Sequence, residues 1–381
     1  MATAFMPETK NDPKQDIAVI DCDVHPNFRD GLNDLSPYLT PEYRRRTGVG
    51  AADAWSKNVA ASHFSLPTNV MYIHPAGALR RDTWSDGTTP ASNPELVAKQ
   101  LLDGYKIDRG VLLCGNVLGL GGLTDPDLAA NIANAYNEWL YETWLQSDVR
   151  WRGGIVIAPQ DVDQAVQTIK KFGPRDGFCQ VHIAMNNVLL GERRFRPIYA
   201  AAEELGLPVA IHPNSIDGIF QTGPQTAGGI PTYYAEWHAG ISQIFQANVI
   251  SLVCQGTFEL FPNLKFIVTE GGIGWLPDVM WRMDKNWKAL RDELPWLKKA
   301  PSEYIIDSVR FTTQPMIEPE KQSHLEAILE MIHAEKTLLF STDYPHWDFD
   351  DPTKALRGVP EHVMDRLLAK NALEIYGDHI L

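Results

Sequence analysis

Short apolar runs rich in β-branched residues recur along the chain, and between them lie longer stretches with apolar positions three and four apart. The runs are "IAVIDCDVH", "GVLLCGN", "GGIVIAP", "FCQVHIA", "PVAIHPN", "KFIVTEGG", "VRFTTQP" and "TLLFSTDYPH". The longer stretches include "LAANIANAYNEWLYETWL", "DQAVQTIKKF", "FRPIYAAAEELG", "KQSHLEAILEMIHA" and the closing "PEHVMDRLLAKNALEIYG". A 3.6-residue apolar period predicts helices, and continuous apolar runs predict strands buried on both faces. Eight such runs supply the strands of a (β/α)8 barrel, so the pattern predicts an α/β fold of the TIM-barrel type. The competing doubly wound sheet lacks its GxGxxG signature after the first run.

Each run ends in a polar or otherwise distinctive residue: His25, Asn116, Gln160, His182, His212, Glu270, Gln314 and Asp343. In a barrel these ends meet at one rim, where the βα loops build the active site. Two long insertions interrupt the rhythm, one after the first strand (26–93) and one after the fifth (214–234), both with Pro, Gly and aromatic residues. Long loops in a compact domain are lids, partner surfaces or disordered, and the aromatic and Arg content here favours ordered packing. The chain therefore reads as a single barrel domain over 1–381, with 26–93 as an insertion or lid within it.

Composition narrows the partners. The 381 residues are 44% hydrophobic and 22% charged, as in a compact globular protein, and the net charge of -14 disfavours nucleic acid. A small-molecule substrate is expected instead. The start "MATAFMPETKNDPKQD" lacks a signal-peptide pattern, and no run approaches the ~18 apolar residues of a membrane span, so a cytoplasmic location without membrane contact is expected. Cys22, Cys114, Cys179 and Cys254 are widely spaced with no CxxC pair and read as reduced core residues.

The strand ends carry three carboxylates (Asp23, Glu270, Asp343) and three imidazoles (His25, His182, His212), with no thiolate among them. That donor set suits Zn, Mn or Fe as a divalent ion. Six donors exceed what one ion needs, so either two ions share a carboxylate, or one ion leaves His182 and Glu270 free for catalysis and substrate contact. A single ion activates water or polarises a substrate oxygen, with Asp343 and Glu270 placed to move protons. A carboxylate-rich pair containing Fe would suit O₂ activation.

Asp23-x-His25, His212 in "AIHPN", "VTEGGIGWLPDVMWRMD" and "FSTDYPHWD" together resemble the amidohydrolase superfamily. The resemblance is to the branch that includes aminocarboxymuconate-semialdehyde decarboxylase and γ-resorcylate decarboxylase, and it spans about Asp16 to Gly377. It implies a metal-dependent barrel with Asp23, His25, His212 and Asp343 as ligands, and Asp343 also handling protons. Asp23 occupies the first place of the usual His-x-His pair. Glu270 stands where the sixth strand normally presents a catalytic His. The resemblance implies hydrolysis or nonoxidative decarboxylation of a small, carboxylated substrate. The alternatives are a dinuclear Fe or Fe/Mn oxygenase, as in a minority of similar proteins, and a noncatalytic barrel subunit. A homo-oligomer, or a hetero-oligomer with a related subunit, is also implied.

Other residues have competing roles. His346 follows Asp343 closely and reads as a substrate-facing or supporting residue. Arg44 and Arg81 lie in basic clusters that could grip a substrate carboxylate or lie on the surface. His238 follows Trp237 in a segment that either approaches the pocket or packs at the surface, and His63 and His74 lie in the first insertion. Glu270 has bland alternatives, a pair with Arg282 or a cap on the helix that follows. Trp275, Trp281 and Trp287 sit at near-helical spacing and read as packing or interface residues.

Overall fold

The computed structural model describes residues 17–50, 79–83, 87–183, 188–213 and 233–381. Eight parallel strands form one sheet in sequence order. They are β1 (Ile20–Val24), β2 (Arg109–Leu112), β3 (Trp151–Ile157), β4 (Phe178–Ile183), β5 (Val209–Ile211), β6 (Phe266–Val268), β7 (Val309–Thr312) and β8 (Leu338–Leu339). Every strand lies on one of the eight runs read from the sequence. The sheet edges meet just past β8: Cys22 N–H donates to Phe340 O at 2.9 Å, Asp343 N–H to Asp23 O at 3.0 Å, and His25 N–H to Tyr344 O at 2.8 Å. This seam makes the sheet the expected (β/α)8 barrel.

Local chemistry starts the helices where the strands need them. Helix Pro126–Trp139 opens with proline in its first turn and Asp125 accepting the Leu128 N–H at 3.0 Å. Helix Val162–Phe172 opens with Asp161 accepting the Gln164 N–H at 3.0 Å. The closing helical stretch runs as Glu361–Asp365, a π-type segment Arg366–Lys370, and Asn371–Tyr376.

The core has two parts. Ile20, Cys22, Val111, Ala210, Ile267 and Leu339 face the barrel interior and cluster with Ala372, Ile375, Tyr376 and Ile380. The C-terminal segment thus closes the barrel end opposite the rim, secured by Arg109 donating to Ile380 O at 2.9 Å and Tyr376 Oη donating to Gln180 Oε1 at 3.0 Å. The outward strand residues pack with the surrounding helices in the larger core.

Of the first insertion, 26–50, 79–83 and 87–93 are described; it carries helix Pro41–Thr47 and returns to the rim where Leu79 bridges His346. The second lies outside the described residues from 214 to 232. Among the described residues no helix is long and apolar enough to cross a membrane. The four cysteines are free thiols.

Candidate metal centre

Strand alternation decides which side chains reach the rim interior, and β1 departs from it. Ile20 and Cys22 face inward, so a regular strand would turn Asp23 outward. The register shifts between Asp21 and Val24, and Val24 joins the outer core. Past the shift Asp23 and His25 face the interior, and Asp21 stays on the outer wall. On β5 Ala210 faces inward and His212, two residues on, follows it. Glu270 departs in another way. Val268 packs in the outer core, and Glu270 would point the same way, but its backbone is left-handed at φ 56°. Its N–H donates to Thr312 Oγ1 at 2.9 Å, which holds the turn. Asp343 is also left-handed, at φ 59°. Such backbone in a residue other than glycine costs on the order of 1 kcal/mol.

One ligand atom from each of Asp23, His25, His212 and Asp343 lies within 4.8 Å of the others, and all four residues are buried. His25 Nε2 is 3.1 Å from Asp23 Oδ1 and 3.0 Å from Asp343 Oδ1, and His212 Nε2 is 3.8 Å from Asp23 Oδ2. These approaches are close but not aligned as hydrogen bonds: among the described residues both Asp23 oxygens, both His25 nitrogens and Asp343 Oδ2 have no hydrogen-bond partner. A buried carboxylate without a donor is costly. Nitrogen and oxygen atoms at these separations fit a divalent ion with ligands about 2.0–2.2 Å away. His212 Nδ1 lies 2.7 Å from Pro213 O; donating there fixes the tautomer that presents Nε2 to the cluster.

The electrostatics carry the same stamp. Burial disfavours a charged His25, but the Asp23 and Asp343 carboxylates outweigh it and raise its pKa well above the usual value. Burial also raises Asp343, with Glu270 adding to the shift and His346 opposing it. Burial opposes charge on Glu270 too, yet His212 and His238 keep its carboxylate well below the usual range. His182 is driven the other way, to a neutral ring, by burial and then by His212 and His25.

The remaining residues singled out in the sequence divide clearly. His182 pairs in register with Ala210, one level deeper than His212; its ring lies 6.5 Å from that of His212, and neither nitrogen has a hydrogen-bond partner among the described residues. Glu270 Oε2 is 3.1 Å from His212 Nε2, so imidazoles are its partners rather than Arg282. His346 Nδ1 is 2.6 Å from Asp343 Oδ1. His238 Nε2 is 3.0 Å from Asp348 Oδ2 and 3.7 Å from Glu270 Oε1, which draws this helix residue to the site. Arg44 is exposed on helix Pro41–Thr47 and makes no contact with the cluster among the described residues. The side chain of Arg81 lies outside the described residues, as do His63 and His74. Asp348 was not singled out from the sequence; the available signal was its place at the end of "FSTDYPHWD", five residues after Asp343.

Comparisons with known proteins agree with the barrel. A curated relative, the gamma-resorcylate decarboxylase of Rhodococcus jostii (strain RHA1), is 23% identical over 300 residues, covering 74% of this chain and 86% of that protein. The 2-amino-3-carboxymuconate-6-semialdehyde decarboxylase of Dictyostelium discoideum is 24% identical over 259 residues, covering 66% of this chain and 68% of that protein. The fold matches the crystal structure of 5-carboxyvanillate decarboxylase from Novosphingobium aromaticivorans DSM 12444, complexed with manganese and 4-hydroxy-3-methoxy-5-nitrobenzoic acid. That match has a TM-score of 0.65 at 19% identity and covers 95% of this chain and 97% of that one. The amidohydrolase family pattern matches residues 20–377, and the chain belongs to that family.

Proposed function

We propose that this chain is a divalent-metal enzyme that removes CO₂ without oxidation from a small carboxylated substrate, of the carboxylated-phenol class for which the gamma-resorcylate and 5-carboxyvanillate decarboxylases are named. The observation that carries the reading is the buried set of Asp23, His25, His212 and Asp343, whose ligand atoms converge at the barrel rim, with both Asp23 oxygens, both His25 nitrogens and Asp343 Oδ2 lacking a hydrogen-bond partner among the described residues. These four would hold the ion, and Mn suits the imidazole and carboxylate donors. When bound, the ion supplies Lewis-acid polarisation of a substrate oxygen. The overall change exchanges a carboxylate for a proton on carbon: the C–C bond breaks, CO₂ leaves, and the carbon takes the proton.

The chain's own residues supply that proton. Asp343 Oδ1 and His346 Nδ1 lie 2.6 Å apart, within reach for passing it. Burial raises Asp343 above an ordinary carboxyl, while Asp343 outweighs burial to raise His346, so both shifts favour the protonated forms. Neutral His182, deeper in the barrel, lines the floor without adding charge.

A second reading, hydrolysis of a C–N or C–O bond, is favoured by one observation. Glu270 is held ionised, which suits a base that takes a proton from water better than an acid that gives one to carbon.

The test is Mn-reconstituted protein assayed on a panel of carboxylated phenols for CO₂ release, and on amides and esters of similar size for hydrolysis. Release of CO₂ from one of the phenols, lost in Asp343→Ala, supports the first reading. Hydrolysis without decarboxylation moves the second to first place, and full activity in chelated protein overturns both.

A further inference from the structure

Glu270 turns its two oxygens toward different neighbours. Oε2 lies 3.1 Å from His212 Nε2 in the buried set, whereas Oε1 lies 3.7 Å from His238 Nε2, which in turn is 3.0 Å from Asp348 Oδ2. One ligand atom from each of His238, Glu270 and Asp348 lies within 4.8 Å of the others.

We propose that His238, Glu270 and Asp348 form a second divalent-cation site, joined through the Glu270 carboxylate to the ion held by Asp23, His25, His212 and Asp343. This rests on the metal-centre reading above. Ligands about 2.0–2.2 Å from an ion lie roughly 3 to 4 Å from one another, and the His25–Asp23, His25–Asp343, His212–Asp23, His238–Glu270 and His238–Asp348 separations of 3.1, 3.0, 3.8, 3.7 and 3.0 Å match that spacing. A carboxylate shared by two ions suits a separation of about 3.5–4 Å. Glu270 can bridge because its left-handed backbone turns it over the rim between the two groups.

A separate observation points to a ligand at the same place. Gln314 is fully buried; its amide nitrogen donates to Asp348 Oδ2 at 3.0 Å and to Asp348 O at 3.2 Å, while its Oε1 accepts nothing among the described residues. A water on the outer ion would satisfy that oxygen. The Gln314 contact also holds the Asp348 carboxylate in place, as the hydrogen-bonded partners of metal ligands commonly do.

The two sites differ in access. The His238 and Asp348 side chains are 18% and 12% exposed, against 0–2% for the inner four residues. The outer ion therefore has three protein ligands and a path to solvent. It is the first to leave under chelation and the one with positions open to a substrate.

Chelated protein is titrated with Mn²⁺, with stoichiometry read by calorimetry and the bound metal by electron paramagnetic resonance. Two ions per chain and the broadened spectrum of a coupled pair are expected. Asp348→Asn and His238→Ala should each bind one ion and show the spectrum of an isolated Mn²⁺, with melting temperatures of the chelated variants matching the parent. Asp348→Asn keeps an acceptor for Gln314 and carries the test should His238→Ala misfold. One ion per chain in the parent overturns the second site and leaves the inner centre standing. Two ions retained in both variants overturn the choice of residues, and no bound ion overturns both sites.

Discussion

Asp21 grips Thr342 twice, its Oδ1 accepting the Thr342 N–H at 3.0 Å and its Oδ2 accepting the Thr342 hydroxyl at 2.6 Å. The same Oδ1 accepts the Asp23 N–H at 3.2 Å. One buried carboxylate on the outer wall therefore braces the residue before Asp343 and the backbone of Asp23, and so closes the seam on which half of the inner ligand set stands.

Burial pushes the Asp21 carboxyl up to about 7, against the downward pull of the Thr342 hydroxyl. A carboxyl whose folded pKa exceeds its unfolded value of 3.8 stabilises the fold fully below that value and loses the contribution as pH rises through 7. At 1.36 kcal/mol per pKa unit, the loss between pH 4 and pH 8 is about 4 kcal/mol. Asp21→Asn has no such titration, so its stability relative to the parent should improve steadily across that range. Denaturant unfolding of both proteins at several pH values checks it, and parallel pH curves would refute it.

Asp343→Ala removes a proposed ligand of the inner ion, the partner of His346 and one of the two carboxylates beside His25. Turnover should fall to background, and Mn²⁺ affinity should drop by at least tenfold. Wild-type turnover in this variant would end the assignment of the inner centre.

Metal binding should release protons and weaken in acid. The Asp23 and Asp343 carboxylates keep His25 protonated against the penalty of burial, and this proton must leave before Nε2 can ligate. Below the raised pKa of His25, apparent Mn²⁺ affinity should fall about tenfold per pH unit for each proton displaced. Calorimetry in buffers of different ionisation enthalpy counts those protons. Pure pH independence between 6 and 8 would contradict the arrangement.

Asn137 offers a control away from the rim. Its side chain donates to Val156 O at 2.9 Å and accepts the Val156 N–H at 2.8 Å, tying helix Pro126–Trp139 to β3 in a fully buried setting. Asn137→Ala strands both backbone groups and should cost about 3 kcal/mol of stability. Metal stoichiometry should be unchanged, which separates stability effects from site effects.

The barrel was legible because the eight strands are buried on both faces, so each appears as a short apolar run whose length and β-branched content mark it as a strand. Most of the residues proposed for the inner centre were equally legible as candidates, since they terminate those runs. What could not be read was direction. Asn116 and Gln160 also end strands, yet Asn116 Oδ1 accepts the Phe28 N–H at 2.6 Å and Gln160 donates to Leu120 O and Leu123 O, so both amides organise loops. Nothing in the apolar pattern separates a strand-end amide that ties a loop from one that meets a ligand. His238 and Asp348 come together across a sequence distance of 110 residues, on a helix after β5 and a turn after β8. Only the closed barrel makes them neighbours. Arg44 shows the converse: a guanidinium suited to a carboxylate by chemistry is kept outside by the helix that carries it.

Glu270 and Asp343 share a trait that bears on how this protein would change under selection. Both hold left-handed backbone where glycine or asparagine would rest more easily, and both crowd negative charge into a buried rim. A lineage screened for endurance alone would find gains at those two positions by giving up their carboxylates. Heat-resistant descendants of this chain would then keep an intact barrel around an extinguished centre, unless turnover were scored in the same round.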